Sequence, residues 1–440
     1  METNHDSSST NTIGFCLLPS EIIQNILLHL ALPEIICLKS LNRFVADVIS
    51  DKYFVRAYNS QARSTAWLFV YKKRWNRDAL LHGFNDQSNR WFSFQIDSLL
   101  NPIIRPGDDI YFLTASCNVF LFVSNTRGEV IALNLATKAV KTIPPSPLGP
   151  RGTSSWRRSG MKLVITGSDQ FQFLFVDLVR NSPVLFVYSS QTDTWQSTEA
   201  REGLAGMPRV CPKEDDHVFL NVIDGPYESM VTAVGLERDA HNNYAPIVLR
   251  PRFNRRPSDG LNLLQVYGDG SMLVIKSSGG GDDDGNTGVR MLNDIELWGG
   301  LRLNGSWHNW EYISKVPCKI KEQIRKPYRA MRGCLERRDG IIRAVLLSNY
   351  DGLWDIIWLS YDMGRSLWAW LPLPDCKMKG LNMAGIAFSS GLTLSWSSSR
   401  LDDTVLRRHA LVLCLVLQVH MIVNISLLQS CVALLYFNSS

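Results

Sequence analysis

Apolar residues recur at helical spacing near the start of the chain. After Pro19, which suits a first helical turn because its missing N–H costs nothing there, one apolar stripe is formed by Ile22, Ile23, Ile26, Leu27 and Leu30. A second helix is predicted to begin at Pro33, with a stripe formed by Ile36, Leu38, Leu41, Val45 and Val48. A module of short helices over 17–60 cannot bury this much apolar surface internally. The pattern therefore predicts a surface that another protein covers.

From about residue 65 the pattern changes to short runs of Val, Ile, Leu, Phe and Tyr broken by Gly, Asn, Asp and Pro, which predicts strands and turns. Within these runs, an aromatic residue precedes a tryptophan by seven positions across a polar turn, in the pairs Phe84 and Trp91, Tyr188 and Trp195, and Tyr361 and Trp368. The recurrence indicates a structural repeat.

Two weaker copies extend this repeat, one running from Leu135 to Thr142 and one near Trp310. The steps between anchors are 51, 53, 115 and 58 residues, for anchors at Trp91, Thr142, Trp195, Trp310 and Trp368. If the step of 115 residues holds two units, the period is roughly 50 residues. This period predicts a β-propeller of about six blades over 65–400, a fold in which ring closure removes exposed sheet edges. A pair of β-sandwiches is the alternative arrangement of the same strands.

Composition is that of a globular chain, with 440 residues, of which 45% are hydrophobic and 20% charged. The predicted fold class is thus α+β multidomain, a small all-α module followed by an all-β propeller. The net charge of +5 comes from scattered basic residues, so no nucleic-acid partner is expected. Nine cysteines without CxxC spacing argue against a zinc site and a disulfide framework. They favour a reducing compartment, the cytoplasm or the nucleus.

No local motif points to catalysis. The eight histidines form neither HxH nor HExxH, and neither GxxxxGK[ST] nor GxSxG occurs. The acidic stretches at 214–216 and 279–285 are interpreted as loops. We therefore predict no catalytic residue, no metal and no cofactor. A propeller that assembles a site from distant loops remains an alternative.

Both ends of the chain differ from the body. The first 16 residues are polar, rich in Ser, Thr and Asn, and are predicted to be a disordered leader without a signal peptide. An atypical hydrophobic tail occupies 401–440, and its stretch 411–437 lacks Lys, Arg, Asp and Glu and is long enough to span a bilayer. Three interpretations stay open for it: buried strands, a membrane anchor, or an aberrant tail from a variant transcript.

The helical module resembles the F-box, the element that docks on the Skp adaptor of a cullin-RING ubiquitin ligase. The resemblance rests on Leu18-Pro19, Glu21-Ile22, Ile26-Leu27, Leu30 and the segment from Asp51 to Phe54. Where many F-boxes carry Val-Cys-Lys and then Trp, this chain has the residues Ser40, Leu41, Asn42, Arg43 and then Phe44. The resemblance implies adaptor contacts at Leu18, Pro19, Ile22, Ile26, Leu27, Leu30, Ile36, Leu38, Leu41 and Phe44.

The body resembles the kelch repeat in its period and aromatic pair, although the double glycine of many kelch units is absent. The order of the two parts is similar to the plant F-box/kelch-repeat family. This resemblance implies a non-catalytic substrate-recognition subunit of an SCF-type E3 ubiquitin ligase, whose propeller loops bind a protein target that the sequence does not identify. The alternative is a kelch-propeller enzyme or a binding protein unconnected with ubiquitin, tethered to a membrane if the tail is an anchor.

Overall fold

The computed structural model describes residues 18–41, 43–62, 65–72, 80–105, 108–167, 169–202, 217–224, 228–239, 243–254, 265–268, 273–280, 291–300, 310–323, 331–350, 353–371 and 383–394. The chain divides into two compact units. A helical unit comprises Met1–Arg63 together with Leu392–Ser440, and a β unit comprises Ser64–Gly391. The leader (1–16), the acidic stretch at 214–216 and the hydrophobic tail (401–440) lie outside the described residues. Of the stretch 279–285, predicted to be a loop, Gly279 and Gly280 end a strand and 281–285 lies outside the described residues.

The helical unit contains α1 (Ser20–Leu28), α2 (Leu32–Leu41), α3 (Arg43–Ser50) and α4 (Lys52–Ala62). Our prediction of one helix running from Pro33 through Val48 was wrong, because α2 ends at Leu41 and α3 begins at Arg43. The fully buried side chains of this unit include Ile23, Leu27 and Ile35.

Side chains near two helix starts satisfy backbone N–H groups that have no partner within the helix. The Glu34 carboxylate accepts a hydrogen bond from the Ala31 N–H at 2.9 Å, one half of a capping box at the start of α2. Asp51 Oδ1 accepts from the N–H groups of Tyr53 and Phe54, at 2.9 and 3.1 Å, and so caps α4. The segment at which the F-box resemblance ends is therefore the start of a fourth helix.

Two side chains of α4 hold other parts of the helical unit. The Tyr58 hydroxyl donates to the Leu30 carbonyl at 3.3 Å, and burial, followed by the nearby Glu34 charge, raises the pKa of Tyr58. Asn59 Nδ2 donates to the Leu394 carbonyl at 3.1 Å, and the Leu394 N–H donates to Asn59 Oδ1 at 2.7 Å. The segment that follows the last strand is thus part of the helical unit.

The described part of the β unit contains three short helices, α5 (Asp97–Leu100), α6 (Thr153–Arg158) and α7 (Cys318–Gln323). Its strands are β1 (Ala66–Lys72), β2 (Leu80–Asn85), β3 (Arg90–Gln95), β4 (Ile110–Ser116), β5 (Val119–Ser124), β6 (Val130–Asn134), β7 (Val140–Ile143), β8 (Gly160–Ile165), β9 (Phe171–Val179), β10 (Ser182–Ser189), β11 (Thr194–Glu199), β12 (Arg201–Glu202), β13 (His217–Asp224), β14 (Glu228–Gly235), β15 (Ile247–Asn254), β16 (Gln265–Gly268), β17 (Leu273–Gly280), β18 (Met291–Gly300), β19 (Trp310–Lys315), β20 (Met331–Arg338), β21 (Ile341–Tyr350), β22 (Leu353–Asp362), β23 (Leu367–Leu371) and β24 (Met383–Ser390).

These strands form four-stranded sheets arranged as a β-propeller. The sheet orders are β24-β1-β2-β3, β4-β5-β6-β7, β8-β9-β10-β11, β13-β14-β15-β12, β16-β17-β18-β19 and β20-β21-β22-β23. The first strand of each order contacts the first strand of the next, and β20 contacts β24, so these inner strands form a closed ring. The predicted propeller is therefore observed, and the β-sandwich alternative does not describe this chain.

The blades are not equivalent. Five sheets are antiparallel throughout, whereas the sheet of β13, β14 and β15 receives its outer strand from the two-residue β12, which pairs in parallel with Ile247 and Val248. The prediction of about six blades was therefore wrong: the described β unit has five regular blades and one irregular sheet, which the repeat period could not distinguish from a blade.

The ring closes by combining distant parts of the chain in one blade. Strand β24 pairs antiparallel with β1, with Leu68 opposite Phe388. Gly385 in β24 has φ +141°, and a Cβ placed there would lie 2.2 Å from the Phe112 carbonyl oxygen of β4. Because a side chain at this point has no room, glycine permits the close approach of β24 to the neighbouring blade.

A charged cluster fixes the loop that precedes β4. The Asp108 carboxylate accepts hydrogen bonds from the Ser124 and Thr126 hydroxyls and from Arg127 Nε, at 2.7 Å for Ser124 and 3.2 Å for Arg127. Burial raises the pKa of Asp108, but hydrogen bonds from Thr126, Ser124 and Arg127 together with the Arg127 charge outweigh it, so the pKa lies below its ordinary value. The loop is thus held by an ionised carboxylate.

Within the part of the chain that the structure describes, none of the helices has the length and hydropathy needed to cross a bilayer.

Candidate functional site

Helix α1 presents two neighbouring apolar rows that differ in exposure. Ile23 and Leu27 are fully buried, whereas Ile22 is 46% exposed, and Ile26 and Leu30 are half-buried. Residues four positions apart lie on the same side of a helix, so Ile22 and Ile26 share one side, and Leu30 follows in the turn. We call Ile22, Ile26 and Leu30 the outer ridge. It is apolar surface that the helical unit leaves partly in solvent.

The other predicted adaptor contacts divide into exposed, half-buried and buried positions. Pro19 and Phe44 are exposed, and Leu18 and Ile36 are half-buried. Leu27 and Leu38 belong to the core of the helical unit, so their side chains offer no exposed surface. Leu41 ends α2, and its side chain lies outside the described part.

One large exposed aromatic side chain near the start of α4 was not among the predicted contacts. Tyr53 is 66% exposed, and Lys52 Nζ lies 4.9 Å from the centroid of its ring. The signal that could have found it is Asp51 as a helix cap, followed by the helical spacing of Phe54 and Tyr58. These residues face the core, which leaves Tyr53 on the outside.

In the β unit, the three aromatic pairs are confirmed as cross-strand neighbours. Their ring centroids are separated by 5.3 Å for Phe84 and Trp91, 5.4 Å for Tyr188 and Trp195, and 5.0 Å for Tyr361 and Trp368. Trp195 Nε1 donates to the Pro144 carbonyl at 2.9 Å, and Trp368 Nε1 donates to Ser314 Oγ at 2.9 Å. Both acceptors belong to the preceding blade or directly follow its outer strand, so the tryptophans link neighbouring blades.

The turns inside these three pairs and the turn between β6 and β7 share one backbone design. We call them blade tips: 85–90, 134–139, 189–194 and 362–367. The tips begin at Asn85, Asn134, Ser189 and Asp362. In each tip, the N–H of the second residue donates to a carbonyl at, or directly before, the start of the blade's second strand. These carbonyls belong, in the same order, to Ala66, Asn118, Phe171 and Gly340. A residue with positive φ stands two positions before the outer member of each pair: Asn89, Lys138, Asp193 and Ser366.

This design corrects the alignment of the weaker repeat copy. The residue that pairs with Leu133 is Val140, seven positions later, whereas Thr142 pairs with Ile131. The copy predicted from Leu135 to Thr142 was therefore displaced by two residues, because neither member of the true pair is aromatic. Trp310 begins β19, and the turn before it lies outside the described residues.

Two tips direct a charge at the preceding blade. Asp193 pairs with Lys141 at 2.9 Å and accepts from the Tyr188 hydroxyl at 2.6 Å. Burial and the Asp193 hydrogen bond raise the pKa of Tyr188 to about 12. In the tip 85–90, Asp86 pairs with Arg343 at 3.1 Å. These charges join blades and need no further partner to explain them.

The tip 362–367 is built from other side chains. Asp362 Oδ1 accepts from the N–H groups of Gly364 and Arg365, at 2.9 and 3.0 Å, so its carboxylate is used within the tip. Met363 is 38% exposed and Leu367 is 60% exposed, and the Arg365 side chain between them is 82% exposed. This tip is therefore an apolar and cationic surface. At the corresponding positions the other described tips carry polar residues, except for Leu135, which is half-buried, and Ala139, which is small.

Among the described residues, no group of three His, Cys, Asp or Glu side chains is arranged to hold a metal ion.

Comparison with known proteins finds matches among solved structures only. No family model matches the chain, and no curated protein matches it. A nidogen/laminin complex is 10% identical over 75% of this chain and 100% of that chain, with a TM-score of 0.38. TolB from Acinetobacter baumannii is 9% identical over 79% of this chain and 73% of that chain, also with a TM-score of 0.38. An ulvan lyase, a polysaccharide lyase, is 12% identical over 78% of this chain and 93% of that chain, with a TM-score of 0.32. Likenesses at these values say nothing about the ligand or activity of this chain.

Proposed function

We propose that the chain is a non-catalytic substrate receptor of an SCF-type ubiquitin ligase, in which the helical unit docks on a Skp-type adaptor and the propeller binds a protein target. The observation that carries the proposal is the outer ridge of α1, where Ile22 stands nearly half exposed beside the buried row of Ile23 and Leu27. The F-box resemblance of the same residues supplies the kind of partner.

The outer ridge offers Ile22 for binding, because its side chain is nearly half exposed while Ile26 and Leu30 are half-buried. The core row of α1 already anchors the helix, and Phe54 and Tyr58 are buried along α4. Fully burying one Ile or Leu side chain stabilises an interface by about 1.5–3 kcal/mol. A partner that covers Ile22 and its neighbours would therefore gain free energy without rearranging the helical unit.

The proposed mechanism needs binding surfaces only. A receptor that holds a target beside a ubiquitin carrier raises their effective concentration, and the acid, base and nucleophile belong to other subunits. No cofactor is part of this proposal. The nine cysteines show no CxxC spacing, which supports a reducing compartment, so we place the protein in the cytoplasm or the nucleus.

If the proposal holds, a charge on the outer ridge strongly weakens adaptor binding. We expect Ile22→Asp in the full chain to weaken binding to a purified Skp-type adaptor by about 30-fold or more, the loss typical of a hot-spot side chain. Titration calorimetry measures the affinity. Leu27→Asp is unsuitable because it places a carboxylate in the core.

The matched control is Asn25→Asp, which adds the same charge at an exposed position of α1. It should leave the affinity within about twofold of the wild type, since surface substitutions outside an interface have small effects. Absence of micromolar binding by the wild-type chain, or an equal loss in both variants, would contradict the proposal. That result would favour a propeller enzyme or a binding protein unconnected with ubiquitin.

A further inference from the structure

The tip 362–367 departs from the pattern that the other described tips follow. At the position of Leu367 the other tips have Arg90, Ala139 and Thr194, and at the position of Met363 they have Asp86, Leu135 and Ser190. Only here do large apolar side chains at both positions stand exposed among the described tips. Because the four tips share one backbone design, the difference lies in the side chains and is not required by the turn.

The backbone of this tip is held in place before any partner binds. The Asp362 carboxylate accepts two N–H groups of the tip, and the Met363 N–H donates to the Gly340 carbonyl at 3.0 Å. Below the tip, the ring centroids of Tyr361 and Trp368 lie 5.0 Å apart, and Trp368 Nε1 donates a hydrogen bond to Ser314 Oγ of the preceding blade. Binding at such a tip costs little conformational entropy, since the loop is already ordered.

Charge narrows the choice of partner. Arg365 stands between Met363 and Leu367, and its Nε lies 3.7 Å from Asp362 Oδ2, whose carboxylate already accepts two backbone hydrogen bonds. The guanidinium therefore presents most of its donors to solvent, in a fork that fits a carboxylate in a bidentate pair. A carboxylate flanked by apolar side chains complements this tip in both charge and polarity.

We propose that the tip 362–367 is a docking point for an extended acidic segment of a partner protein, with the carboxylate bound by Arg365 and the flanking apolar side chains packed on Met363 and Leu367. The assignment of that partner as the target for ubiquitination rests on the proposed function. The docking itself does not, because it uses residues of the β unit alone.

The test is selection of peptides from a phage-displayed library of random dodecamers on the purified full chain. We expect the selected peptides to share an Asp or Glu flanked by apolar residues. Their affinity, measured by fluorescence anisotropy with synthetic peptides, should fall at least about tenfold in Leu367→Asp and in Arg365→Glu. The matched control is Thr194→Asp, which places the same charge at the corresponding position of another tip and should leave the affinity unchanged.

Several outcomes would overturn the inference: no enriched peptide, enriched peptides without the acidic and apolar pattern, or an equal loss in Thr194→Asp. Two further assays address other occupants. The first measures binding to vesicles of phosphatidylcholine and phosphatidylserine, and the second measures self-association by sedimentation. If Leu367→Asp removes either of these but leaves peptide binding intact, the tip binds a membrane or a second copy of the chain, and the inference is overturned.

The same variants separate this inference from the proposed function. Leu367→Asp should bind the Skp-type adaptor as tightly as the wild type. If the adaptor fails to bind the wild-type chain while selected peptides bind and are sensitive to Leu367→Asp, the docking point stands and the ligase role fails. If the adaptor binds the wild-type chain but no selected peptide is sensitive to Leu367→Asp, the ligase role stands and the docking point fails.

Discussion

The helical unit and the propeller bury apolar surface in different ways. In the propeller, each sheet lies between two neighbours, so strand β5 is buried along its whole length and both of its faces are covered. In the helical unit, α1 and α3 bury one row and leave another side partly in solvent, as Ile22 and Phe44 show, whereas α2 is buried at most of its described positions. Exposed large apolar side chains are therefore rarer in the described β unit than along the helices; in the β unit Leu148 and Tyr312 stand at single positions, whereas Met363 and Leu367 share one tip. That difference makes Met363 and Leu367 informative.

In the propeller, burial on both sides of each sheet requires a closed ring, so a change that prevents closure should destabilise the protein strongly. We expect Gly385→Val to lower the free energy of unfolding by about 3 kcal/mol, because a side chain meets the Phe112 backbone and the residue must hold φ +141°. Urea unfolding followed by tryptophan fluorescence measures the change.

The control is Gly152→Ala, where an added Cβ has no neighbouring atom within 4 Å and φ is −73°. This change should cost about 0.5 kcal/mol or less. If both variants lose the same stability, the close approach of β24 to β4 does not limit ring closure.

The helical unit can be tested through the segment that follows the propeller. Asn59→Ala removes both hydrogen bonds to Leu394, and we expect it to cost about 2 kcal/mol at about 1 kcal/mol for each bond. Hydrogen exchange of the Leu394 amide should accelerate, since its acceptor is lost. Asn59→Asp keeps an oxygen acceptor and should retain protection of that amide; unchanged exchange in Asn59→Ala would show that the pairing is absent in solution.

The smallest effect concerns the charge that orders a loop of the ring. The pKa of Asp108 is lowered in the folded state, so its stabilisation is present above the unfolded value of about 3.9 and is lost as the pH falls through the folded pKa. We expect Asp108→Asn to cost about 1 kcal/mol near neutral pH and progressively less below about pH 4. Urea midpoints measured across this range check the prediction, and a difference that grows on acidification would contradict it.

The local features of the propeller could be predicted, and the long-range ones could not. A seven-residue aromatic interval is a property of one hairpin, so Phe84 with Trp91 and Tyr361 with Trp368 were found from spacing alone. Leu133 and Val140 occupy the same positions, but their pair carries no aromatic signal, and the copy was displaced. The pairing of β24 with β1 joins residues more than 300 positions apart, which periodicity cannot reveal.

For the candidate adaptor surface, the sequence indicated which apolar residues lie together on α1 but not which of them are exposed. Helical spacing places Ile22, Ile23, Ile26 and Leu27 near one another, but it does not tell which row the other helices cover. The structure decides this through α3 and α4, which contact α1 and leave Leu27 buried and Ile22 exposed. Tyr53 was missed because the motif was expected to end where α4 begins.

The closing blade has a consequence for synthesis. Chains emerge from the ribosome N-terminus first, so β1, β2 and β3 must wait for β24, and α4 must wait for Leu394. Until then, the inner edge of β1 is open and can pair wrongly with other strands. A nascent chain that stalls before residue 383 therefore has neither a closed ring nor the pairing of Asn59 with Leu394 that joins the two segments of the helical unit.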